Sequence, residues 1–120
     1  MRTKEVEILG KKYLMNFSNA VLVYMEQNNI KLEQLSESEM PVTAMLNIIH
    51  RMIQSGAAYS KKTGGPDYPT ISLEDLSEST DVNELSGLMS DAVFCITGQR
   101  NIEAIPKKKE GAPSAEAQTN

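Results

Sequence analysis

The sequence predicts an α+β fold, mainly helical: an N-terminal β-hairpin packed on three to four α-helices, followed by a flexible C-terminal tail. Three observations predict it. "EVEILGKKYLMNF" (Glu5 to Phe17) alternates apolar and polar residues about a glycine. Three later segments repeat apolar residues at helical spacing. From about Asn101 onward, periodicity stops altogether.

In the hairpin, expected over 4–17, Val6 and Ile8 alternate with Glu5 and Glu7. Gly10-Lys11 can form a two-residue loop, the glycine supplying the positive φ that such turns need. That loop pairs Leu9 with Lys12, Ile8 with Tyr13 and Val6 with Met15. It places Val6, Ile8, Tyr13 and Met15 on one face, and that face must pack on something, because an isolated hairpin is marginal in water.

Ser18 is the expected N-cap of a first helix over about 19–28, with Phe17, Val21, Tyr24 and Asn28 on one side. "NNIKLEQLSESEM" connects it to the next element with one short helical turn. Pro41 suits the first turn of a second helix over about 41–56. There Val42, Met45, Leu46, Ile49, Met52 and Ile53 form the strongest amphipathic stripe in the chain. Gly56 is the expected stop, with an extension to about Tyr59 as the alternative. "SKKTGGPDYPT" reads as a loop. Ser72 and Asp75 resemble a capping box opening a short helix over 73–78. Asp81 and Glu84 repeat the signal for a helix over 82–97, with Val82, Leu85, Leu88, Met89, Ala92, Val93 and Ile96 on one stripe and Gly98 as C-cap. Residues 1–98 thus read as a single globular domain and 99–120 as the tail, where "PKKKEGAPSAEAQTN" lacks core residues.

The 120 residues carry a net charge of −4, which disfavours a nucleic-acid binder. The run Lys107-Lys108-Lys109 reads as solvated tail charge. No apolar run approaches a membrane span, and "MRTKEVEI" lacks the apolar core of a signal peptide. A lone cysteine, Cys95, fits a reducing compartment. The expectation is a cytoplasmic protein with no membrane and no specific nucleic-acid partner.

No catalytic, cofactor-binding or metal-binding residue emerges. The single histidine, His50, lies at the border of the second helix's apolar stripe and reads as a half-packed side chain. Cys95 has no partner motif and reads as structural or interfacial. Glu37, Glu39, Glu74, Asp75, Glu78, Asp81, Glu84 and Asp91 match no EF-hand spacing and several sit where helix starts favour negative charge. "KKTGGP" lacks the spacing of a phosphate-binding loop. What stands out is surplus apolar surface. Phe94 points away from the last helix's stripe, Leu22 and Val23 flank the first helix's buried face, and Ile48 flanks the second's. These four are the expected partner-binding residues, for a partner helix or a homo-oligomer.

"VEILGKKYLMNFS" running into "NAVLVYMEQ" resembles the start of small phage tail assembly chaperones. "AMLNIIHRMIQSGAAYSKK", "YPTISLEDLSES" and "NELSGLMSDAVFCI" resemble the later helix, loop, helix start and last helix of that family, over residues 4–97. The resemblance implies a non-enzymatic protein of a phage or prophage, working in the bacterial host cytoplasm. Such proteins bind the long helical tape measure protein during tail morphogenesis, and many of them self-associate. The alternatives are another phage morphogenesis component of head–tail connector type, a small mobile-element adaptor, and, in the enzyme class, a metal-dependent hydrolase built from the acidic residues.

Overall fold

The computed structural model describes residues 1–36 and 40–98. In chain order it has β1 (Thr3–Ile8), β2 (Lys11–Asn16), α1 (Asn19–Gln27), a 3₁₀ turn (Leu32–Ser36), α2 (Val42–Lys62), α3 (Leu73–Ser79) and α4 (Val82–Thr97). The expected hairpin on four helices is what forms. The tail expected over 99–120, with Lys107-Lys108-Lys109, lies outside the described residues, as does the connection at Glu37 and Glu39.

The hairpin turns one residue earlier than expected. Leu9 (φ 50°) and Gly10 (φ 78°) are the loop residues, and both lie in the left-handed region. A two-residue turn with positive φ at both centres takes glycine naturally at the second, so Gly10 follows Leu9 rather than leading Lys11. The pairing becomes Ile8 with Lys11, Val6 with Tyr13 and Lys4 with Met15, a slip of two residues from the expected register. Because side chains alternate with a period of two, this slip leaves Val6, Ile8, Tyr13 and Met15 on the same face. All four are buried. Leu14 and Asn16, on the opposite face of β2, are buried as well.

The long central helix α2 contacts β2, α1, α3 and α4. It passes Gly56 without ending and stops at Lys62. Gly56 faces the backbone of β2: a Cβ there would lie 2.5 Å from the Leu14 carbonyl carbon, closer still to its oxygen, and 3.0 Å from the Met15 nitrogen. Glycine is required at this crossing by proximity, while its φ stays helical. The stop comes at Gly64 (φ 78°), where the Gly65 N–H donates to the Ser60 carbonyl at 2.8 Å and the Gly64 N–H to that of Lys61 at 3.4 Å. That is a Schellman ending. Ser60, expected in the loop, is helical and buried, and its Oγ donates to the Pro66 carbonyl at 2.6 Å. Helix α1 ends in the same way, with Asn29 (φ 57°) in the glycine position and the Ile30 N–H donating to the Met25 carbonyl at 2.9 Å.

Three N-caps differ in what their side chains do. Asp81 and Glu84 form the full expected capping box, at 2.8 Å and 2.9 Å. Ser72 accepts from the Asp75 N–H at 3.0 Å. Ser18 occupies the N-cap of α1 but makes no side-chain cap bond. Its hydroxyl instead meets Ser55 Oγ of α2 at 2.5 Å, tying the end of the hairpin to the central helix.

The core gathers Val6, Ile8, Tyr13 and Met15 from the hairpin, Val21 and Met25 from α1, and Leu35 and Met40 from the connection. Ile48, Ile49, Met52 and Ile53 come from α2, Leu76 from α3, and Leu85, Leu88, Met89, Ala92 and Cys95 from α4. The apolar stripes are rotated at their ends. Val42 and Val82, which open the expected stripes of α2 and α4, are 46% and 56% exposed.

Candidate functional site

Burial perturbs both the histidine and the cysteine. His50 is half-buried on α2. Burial disfavours its imidazolium and moves its pKa below 6.5; bonding to the Ile71 backbone opposes this, and the charge of Arg51 adds to it. The Cys95 thiol is buried on α4 and faces the Met15 carbonyl at 3.7 Å. Burial, reinforced by Asp91 and opposed by Lys4 and Arg2, pushes its pKa up to about 11. A thiol so held is protonated at neutral pH and a poor nucleophile.

The acidic residues have structural work to do. Glu74 and Asp75 lie in the first turn of α3, while Asp81 and Glu84 bond the backbone at the start of α4. Glu5 accepts from the Tyr68 hydroxyl at 2.9 Å and lies 3.9 Å from Lys12, fastening the loop after α2 to β1. Among the described residues, no three His, Cys, Asp or Glu side chains group as metal ligands, and no helix is long and apolar enough to cross a membrane.

One charged residue acts in a way the sequence does not advertise. Arg2, just ahead of β1, donates to the Ile96 carbonyl at 3.0 Å and reaches that of Cys95 at 3.5 Å. α4 carries no basic residue in its own last turn. A guanidinium from elsewhere therefore answers its unpaired carbonyls and the negative end of its dipole. The guanidinium also packs over Gly98 (φ 80°), where a Cβ would meet Arg2 Nε at 2.8 Å.

The four expected partner-binding residues are not all at the surface. Ile48 is a correction: it is fully buried in the core and cannot meet a partner. The buried face of α2 is centred on Ile48, Ile49, Met52 and Ile53, where the helix packs among β2, α1, α3 and α4. Val23 is 48% exposed, and Leu22 and Phe94 are half-buried. α1 packs chiefly on α2, and α4 on α2, the strands and the 3₁₀ turn.

The apolar surface that does gather lies elsewhere. Leu32, Glu33 and Leu35 of the 3₁₀ turn, with Val93, Ile96 and Thr97 of α4, line a groove of about 390 Å³. Leu32 is 44% exposed. Phe94 is adjacent in sequence to Val93, at the same end of α4. Leu32 and Leu35 were legible only as a short helical turn; their three-residue spacing is the signal that marks a shared apolar side. No protein-family model, curated protein or solved structure matches this chain.

Proposed function

We propose that this protein is a non-enzymatic tail assembly chaperone of a phage or prophage, binding the helical tape measure protein in the host cytoplasm. The order of its sequence motifs supports the reading. The observation that carries it is the apolar groove between the 3₁₀ turn and α4, with Leu32 open to solvent beside Val93 and Ile96. Such a groove fits one or two apolar side chains of a helix laid across it. A long coiled client exposes an apolar seam before the tail tube surrounds it. Many copies of a small protein, each bound weakly, would cover that seam as an array. Methionine is frequent in the chain, and Met15, Met25, Met40, Met52 and Met89 all lie in the core. Methionine's flexible thioether lets such a core adjust when a partner seats against it.

The test is a pull-down with tagged protein from a lysate making the parent phage, with bound proteins identified by mass spectrometry. The reading expects a long, helix-rich tail protein to be recovered by wild type and lost with Leu32→Asp and Phe94→Asp. Leu32→Asp changes an exposed site, so its circular dichroism must match wild type. Recovery of only the protein itself, from an extract shown to contain that tail protein, would sink the chaperone reading and turn attention to self-assembly in a connector.

A further inference from the structure

The outer edge of β1 carries an inference independent of the function proposed above. The two-residue loop makes Ile8 and Lys11 the bonded pair that closes the hairpin. Bonded pairs in an antiparallel ladder recur at every second residue, so they return at Val6–Tyr13 and Lys4–Met15. The backbone N–H and C=O groups of Thr3, Glu5 and Glu7 therefore point away from β2. Among the described residues, no backbone hydrogen bond from outside the hairpin reaches them. The outer edge of β2 is different, since α2 crosses it where Gly56 meets the Leu14 carbonyl.

The β1 edge is one wall of a groove of about 380 Å³, and α4 is the other. β1 lines it with consecutive residues, Lys4 to Ile8, as an edge does; a strand face would contribute alternate ones. From α4 come Glu84, Gly87, Leu88 and Asp91, at the spacing of one helix face. Gly87 opens the middle of that wall, because a Cβ there would have nothing within 4 Å. Glu5, Glu7, Glu84 and Asp91 set four carboxylates around the groove, against the one ammonium of Lys4. Lys12 lies 3.9 Å from Glu5, while among the described residues Glu7 has no ion pair.

That charge selects the occupant. Centring β1 on its counterpart in a second copy would set Glu5 opposite Glu5 or Glu7, and like charges directly opposite are unfavourable. A basic strand in the same place sets lysine or arginine opposite both. We propose that β1 takes up, as a third strand, an extended lysine- or arginine-bearing segment of a partner protein. Its basic residues alternate, because Glu5 and Glu7 project from the same face of β1 two residues apart. Val6 and Ile8, on the other face, share the core with Leu88. The residues between the basic ones therefore turn toward α4 at Gly87 and Leu88, and they are small or apolar. Main-chain bonds to Thr3, Glu5 and Glu7 supply the attachment, and the alternate side chains supply the selectivity.

The probe is a short capped peptide alternating lysine with valine, added in excess to the full chain and followed by amide hydrogen exchange. When it binds, the Glu5 and Glu7 amides should exchange at least about tenfold more slowly, while Val6 and Ile8, bonded within the hairpin, keep their rates. Methylating the peptide's backbone nitrogens on the side facing β1 leaves its charge intact and should abolish that slowing. Gly87→Leu, which puts a side chain into the groove, should weaken binding at least about tenfold with an unchanged circular dichroism spectrum. Glu7→Lys, a change at an exposed position, should weaken it severalfold. Exchange at Glu5 and Glu7 untouched by the peptide would overturn the proposal. Equal binding by the methylated peptide would overturn it too, since the contact would then be one of charge alone. Glu5 and Glu7 amides already slow without peptide would mean that the edge is occupied, by a second copy where the slowing grows with protein concentration, and would overturn it as well.

Discussion

Gly56→Ala is the substitution whose effect the fold reverses. In a helix interior, replacing glycine by alanine stabilises by roughly 1 kcal/mol. Gly56 sits near the middle of α2, so helix propensity alone predicts a gain. The new methyl, however, would stand 2.5 Å from the Leu14 carbonyl carbon and 3.0 Å from the Met15 nitrogen. Both are backbone atoms of a strand held by its ladder to β1, so no side chain can swing aside. Either α2 retreats from β2 or the hairpin bends, and overpacking of this kind costs about 1–3 kcal/mol. With rigid backbone on the receiving side the upper end applies, and subtracting the propensity gain leaves a net loss of about 2 kcal/mol. For a domain of this size that is a fall in Tm of about 10 °C. Gly87→Ala is the control: Gly87 lies in α4, and a Cβ there has nothing within 4 Å. It should raise stability by about 1 kcal/mol. Thermal and urea unfolding followed by circular dichroism would compare the pair. A Gly56→Ala protein as stable as Gly87→Ala would refute the close crossing of α2 over β2.

Leu9→Asn should stabilise by about 1 kcal/mol, because Leu9 is 80% exposed and held at φ 50°, where asparagine is far better tolerated; unchanged stability in urea would argue against the Leu9–Gly10 turn. His50 gives a pH signature. Its folded pKa lies below 6.5, so the unfolded chain binds more protons between the two values, and the stability His50 contributes is complete above about 6.5 and lost as pH falls through that window. Wild type should therefore lose more stability between pH 7.5 and 5 than His50→Gln does; identical losses would count against the buried imidazole. Cys95, with its thiol pKa near 11, is about one part in a thousand thiolate at pH 8. Its reaction with a disulfide reagent should be over a hundredfold slower in the native protein than in denaturant, where a free thiol is roughly a quarter ionised at that pH. Comparable rates would place Cys95 at the surface.

Local rules made most elements readable in advance. Alternation about a glycine identified the hairpin and its buried face, since a strand's side-chain period is two whatever its register. Asp81 with Glu84 announced the start of α4, because a capping box is satisfied within four residues. What eluded the sequence depended on neighbours distant along the chain. Gly56 and Gly64 are equally able to end a helix; only β2 lying against one, and the Ser60 carbonyl awaiting the other's successor, distinguish them. Ser18 is a good cap in isolation, yet Ser55 of α2 takes its hydroxyl. Ile48 flanks the apolar stripe on a helical wheel, but α2 packs against β2, α1, α3 and α4, and this flanking position is as buried as a central one. Arg2 shows nothing of its role in sequence, because the helix end it serves lies more than ninety residues further along the chain. Residue order thus determined which segments become strands and helices, through contacts a few residues apart. Tertiary packing decided which apolar residues remained at the surface, because exposure depends on what the rest of the chain places over them.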